Sequence, residues 1–127
     1  MKLSLVILCI ASLTGIQCKK NMPVGNVLTG RLIVNGPCEH YAVQLLNGTI
    51  DTANIVSSWY DTDNDSTYAN AFAIANYCTF GASGLQLGDV FTFRIDPNPM
   101  AQTCPICMIA VAVPSRYNAV IDVQKMK

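Results

Sequence analysis

The chain is 127 residues long, with eight basic and eight acidic side chains, 51% hydrophobic residues and 13% charged ones. That length holds one hydrophobic core and excludes a two-domain enzyme, while zero net charge leaves no basic field for nucleic acid or anionic lipid. So apolar a composition also excludes a disordered chain.

Met1-Lys2 and the apolar run at residues 3–13 have the charge and length of a secretory signal peptide. The run falls short of the roughly 20 apolar residues that span a bilayer, so no membrane insertion is expected. Cleavage after Gly15 leaves an odd set of cysteines and cleavage after Cys18 an even one. The expected layout is a signal peptide over 1–18 and a single secreted domain over 19–127, starting at Lys19. The sequons Asn47-Gly48-Thr49 and Asn64-Asp65-Ser66 make Asn47 and Asn64 candidate glycosylation sites of an extracellular protein.

Period-two alternation recurs between turn signals and predicts strands over residues 26–34, 41–46, 55–60, 67–75, 90–95, 106–113 and 119–123. The four alanines of residues 67–75 also suit a short helix. Asn35-Gly36-Pro37, Asn47-Gly48, the acidic run from Asp61 to Asp65, and Asp96-Pro97-Asn98-Pro99 punctuate these strands. Seven short strands imply an all-β, two-sheet sandwich, because a single sheet leaves one apolar face wet. Alternation assigns to the core Leu28, Leu32 and Val34; Val43 and Leu45; Phe72 and Ile74; Phe91, Phe93 and Ile95; and Ile109, Val111 and Val113. Ala69, Ala71, Ala73 and Ala75, like Met108, Ala110 and Ala112, form small-residue rows without charge, and at least one is expected to be covered, within the fold or in a homo-oligomer.

Leu28-Thr29-Gly30-Arg31-Leu32, the Asn35-Gly36-Pro37 turn and Val43-Gln44-Leu45 occur in the order of a V-x-G-x-L strand, a G-x-P turn and a V-x-L strand. With the acidic turn before Phe72 and the run from Cys104-Pro105-Ile106-Cys107 to Pro114-Ser115-Arg116-Tyr117, this order resembles the transthyretin-like proteins secreted by nematodes. The resemblance implies a prealbumin-type sandwich and an extracellular binding role without catalysis. An immunoglobulin-like sandwich is the competing architecture.

Cys38, Cys78, Cys104 and Cys107 are candidate disulfide cysteines with three possible pairings. Cys104-x-x-Cys107 also has redox spacing, yet a low-pKa CxxC opens a helix and a strand pattern follows this one. Cys38, His40, Cys104 and Cys107 have the donors of a Cys3His zinc site, which an oxidising compartment disfavours. His40 is the one histidine, and no nucleophile motif accompanies it. Asp61, Asp63 and Asp65 match the opening of an EF-hand, but Ser66 and Phe72 stand where it needs Gly and Glu, leaving at most a weak Ca²⁺ candidate. Trp59 and Tyr60, on opposite strand faces, are the candidate ligand contacts. The sequence reads as a non-enzymatic, secreted, disulfide-stabilised binding protein without a cofactor, recognising a small apolar ligand or an extracellular protein. A CxxC thiol oxidoreductase and a Ca²⁺-dependent recognition module are the alternatives.

Overall fold

The computed structural model describes residues 25–127, so the expected leader, its cleavage before Lys19 and Cys18 lie outside the described residues. The elements are β1 (Leu28–Gly36), β2 (His40–Asn47), a 3-10 turn (Thr52–Asn54), β3 (Val56–Asp61), β4 (Ser66–Ile74), α1 (Tyr77–Gly81), β5 (Val90–Ile95), β6 (Tyr117–Asn118) and β7 (Val120–Lys125). Residues 67–75 are therefore almost wholly strand, paired with β3 and β2 despite the helix propensity of the alanines; Asn70, at a positive φ of 55°, breaks the row, so that Tyr68 packs on the outer cluster and Phe72 and Ile74 in the inner one.

All seven strands belong to one hydrogen-bonded sheet in the order β3-β4-β2-β1-β5-β7, with β6 added parallel to β4. Only Ala119 separates β6 from β7, and this short stretch is held from both sides. On one side Ala73 N donates to Arg116 O (2.7 Å) and Ala75 N to Asn118 O (2.9 Å); on the other, Asp96 N donates to Ala119 O (2.9 Å). The sheet thereby closes into a ring of β4, β2, β1, β5 and the β6–β7 stretch, with β3 extending it beyond β4.

Inside the ring Leu28, Leu32, Val43, Phe72, Ile74, Phe91, Phe93 and Val120 form one cluster, capped by Phe80 of α1 and by Leu85. The rings of Phe72 and Phe93 lie 5.9 Å apart, and those of Phe91 and Phe93 5.4 Å apart, both pairs tilted. Burying each of these side chains contributes about 1.5–3 kcal/mol. Gly30 permits this packing, since a Cβ there would lie 2.6 Å from Val43 Cγ1 and 3.0 Å from Phe93.

A second cluster covers the outer face: Ile33, Val34, Ala42 and Ala71, with Trp59, Tyr68, Val111 and Val113 against it. Val34 was expected beside Leu32. It turns outward because the pairing with β2 shifts register between Leu32 and Val34, and a one-residue slip moves each following side chain to the other face. The alanine row is thus covered by the chain itself, with Ala71 and Ala73 buried and Ala69 exposed.

The strand expected over residues 106–113 does not form. This segment crosses the outer face with Val111 and Val113 half-buried, and Ile109, expected in the core, is exposed. The strand expected over 119–123 is instead β6 and β7. In β7 an extra residue is accommodated opposite β5 between Ile121 and Gln124, where Asp122 takes a positive φ of 54°.

Candidate functional site

The four cysteines form two pairs at disulfide distance, Cys38 with Cys107 (Cα–Cα 5.2 Å) and Cys78 with Cys104 (5.8 Å). Cys38 sits in the β1–β2 turn, where it and Glu39 both adopt left-handed backbone (φ 62° and 65°), and Cys78 lies on α1. Cys104 N donates to Cys78 Sγ (3.2 Å), and Gln102 Oε1 accepts from Cys78 N (2.9 Å). Cys104 and Cys107 therefore bond to different elements and not to each other, so the four residues of the motif form a strap fixed at both ends.

The strap carries an uncharged surface. Between Asp96 and Arg116 the sequence has no ionisable acidic or basic side chain. Ile106 and Ile109 are exposed, and Met108 is 102% exposed relative to an extended reference. Apolar side chains concentrated on a fixed segment distinguish this patch from the scattered exposed aliphatics of an ordinary surface.

The other residues singled out in the sequence are not brought together. Of the sulfurs proposed for zinc, Cys38 pairs with Cys107 and Cys104 with Cys78, and His40 Nδ1 lies 3.0 Å from Pro37 O. Among the described residues no three metal-ligating side chains cluster. The three aspartates turn to separate partners. Asp61, buried, accepts from Asp63 N (2.9 Å) and from Asn64 Nδ2 (2.8 Å); Asp63 Oδ2 accepts from Ala112 N (3.0 Å). Asp65 accepts from the Tyr60 hydroxyl, which raises the Tyr60 pKa by stabilising the protonated phenol. Trp59 is half-buried and stacks on Tyr68 at 6.1 Å and 22°, while Tyr60 is exposed on the opposite face. Asn47 and Asn64 are both exposed.

Two concavities adjoin α1. A cleft of about 440 Å³ runs between α1, residues 96–102 and β7, with Phe80, Met100, Val120 and Val123 in its wall. A smaller pocket of about 170 Å³ lies at the β1–β2 turn and gathers Glu39, His40, Tyr41, Tyr77, Ile106 and Tyr117. There Tyr41 donates its hydroxyl to Glu39 Oε2 (3.1 Å), and burial first, then the Glu39 carboxylate, push the Tyr41 pKa up. Gly81 leaves room for this pair, because a Cβ would stand 2.7 Å from Glu39 Oε2 and 2.8 Å from the Tyr41 hydroxyl.

Sequence reasoning passed over Glu39, Tyr41, Tyr77 and Tyr117. The available signal was adjacency: Glu39 and Tyr41 follow Cys38 closely, and Tyr77 precedes Cys78, so bridges through the same strap draw them together.

No helix among the described residues is long and apolar enough to cross a membrane. Comparison of the chain with protein-family models, with characterised proteins and with solved structures finds no match.

Proposed function

We propose that the chain is a secreted, non-enzymatic binding domain that engages an extracellular protein through the strap at Ile106, Met108 and Ile109. The observation that carries this reading is the full exposure of Met108 directly after the bridged Cys107, on a stretch held again where Ala112 N donates to Asp63 Oδ2. Ordering the strap in advance lowers the entropy lost on binding, which is how constrained loops gain affinity. Pairing of Cys104 and Cys107 with separate partners favours a structural role over thiol exchange, and the divergence of Asp61, Asp63 and Asp65 favours a hairpin brace over a Ca²⁺ module. The transthyretin-like sandwich enters as part of the same proposal, on the ground that the one hydrogen-bonded sheet wraps over the phenylalanine core and brings Phe72 of β4 against Phe93 of β5. The cleft beside Phe80 supports a second reading, an apolar small molecule, since its volume falls in the range of about 300–1,000 Å³ usual for ligand pockets.

A photoreactive methionine analogue placed only at position 108, or only at position 126 as an exposed control, tests the interface in the native extracellular fluid. Cross-linking to one protein from position 108, absent from 126 and lost in Ile109→Lys, is the expected result. Equal cross-linking from both positions removes the strap as the interface.

A further inference from the structure

We infer that the pocket at the β1–β2 turn is a binding site for an organic ammonium group. Its walls are the tyrosines Tyr41, Tyr77 and Tyr117, its carboxylate is Glu39, and Ala73 and Ile74 also line it. The residues come from four elements, β2 with its preceding turn, β4, α1 and β6, and the arrangement is braced by the pairing of Ala73 with Tyr117 across β4 and β6.

Charge and shape point to the same ligand class. No lysine or arginine lines the pocket. Among the described residues the ion pairs join Arg94 to Asp122 and Lys125 to Asp89, and neither involves Glu39. The Glu39 carboxylate, itself half-buried, accepts one hydrogen bond from a neutral phenol and makes no ion pair; His40 also lines the pocket, with its Nδ1 3.0 Å from Pro37 O. Tyrosine faces carry negative potential and attract a cation held within about 6 Å, most strongly when it is weakly hydrated, as alkylated ammonium is. An anion meets repulsion from Glu39, and a neutral apolar ligand leaves that carboxylate desolvated without a partner. The volume of about 170 Å³ admits a single headgroup and is too small for a drug-sized molecule.

The pocket shares Ile106 with the strap, but the groups that recognise the cation are Glu39 and the tyrosines, so the site stands whether or not the strap is an interface. Free choline and a peptide bearing trimethyllysine present the same cation from two sources. Titration of the full chain with each, followed by amide chemical shifts, is the test, with the neutral carbon isostere of choline as control. The expected result is saturable binding of at least one cation, roughly tenfold weaker binding of the isostere, and a loss of similar size in Glu39→Gln. Tyr117 is exposed, so Tyr117→Leu and Tyr117→Phe leave the core intact and carry the test even where Glu39→Gln disturbs the turn. The leucine variant should lose the affinity and the phenylalanine variant keep it. Saturation by choline alone assigns a free metabolite and saturation by the peptide alone a modified protein, both within the proposal. Equal affinity for the isostere, or failure of both cations to saturate, overturns it.

Discussion

The side-chain amide of Asn76 pairs with both main-chain groups of Val120: Val120 N donates to Asn76 Oδ1 at 2.9 Å, and Asn76 Nδ2 donates to Val120 O at 2.6 Å. One buried side chain thus continues, for one more residue, the ladder that β4 makes with residues 116–118. Asn76→Ala leaves the Val120 amide and carbonyl buried without partners, and should lower unfolding free energy by roughly 3 kcal/mol in urea titration. A loss below about 0.5 kcal/mol would show that water replaces the carboxamide.

Ala71 is 0% exposed, between Ile33, Val34 and Ala42. Ala71→Lys forces a long cation under that layer, and a loss of roughly 3 kcal/mol or failure to fold is expected. The matched substitution Met108→Lys, on a fully exposed side chain, should stay within about 0.5 kcal/mol. Thermal melts of the two variants separate covered from free apolar surface.

Non-reducing peptide mapping should recover Cys38 linked to Cys107 and Cys78 to Cys104. Removing either bridge by paired Cys→Ser substitution is expected to cost about 2–4 kcal/mol. The Cys78–Cys104 loop of 26 residues nests inside the Cys38–Cys107 loop of 69, so loss of the outer bridge should be worse by roughly 0.5–1 kcal/mol. A peptide with Cys104 bonded to Cys107 contradicts the strap altogether.

The raised pKa of Tyr41 predicts an alkaline limit to stability. The folded chain holds this proton more tightly than the unfolded chain, whose phenol titrates near 10.0. The contribution is complete below about pH 10 and is lost as pH rises through the folded-state value. Denaturation midpoints measured on either side of that pH should fall less steeply in Tyr41→Phe than in the wild type. Parallel curves exclude a coupled Tyr41.

Strands β1 to β5 were legible because apolar runs of strand length stand between recognisable turns, and Trp59 and Tyr60 differ in exposure as alternation requires. Residues 106–113 alternate just as well, yet the bridge at Cys107 and the proline at 114 hold them over the outer face. The amide of Ala112 there donates to the Asp63 carboxylate and not to a ladder. Nothing local marks such a tether. Val34 is buried as alternation assigns, but on the face opposite Leu32, because a bulge is a property of two strands and only one is visible at a time. The pairing of the cysteines, and with it the pocket of Glu39 and three tyrosines, depends on contacts 26 and 69 residues apart that periodicity does not encode.

Closure of the ring by residues 116–120 sets an order of events in biosynthesis. Asn76 and Val120 are 44 positions apart, and pairings of such separation pay loop entropy before contact, which makes non-local β topologies slow to fold. As the polypeptide leaves the ribosome, β1 to β5 emerge first and Phe72, Phe91 and Phe93 face an open trough. Cys78 and Cys104 both precede residues 116–120 in sequence, so their bridge does not require the closed ring. A chain whose seam is still open leaves Phe72, Phe91 and Phe93 uncovered on that side, the surface a chaperone has most reason to shield.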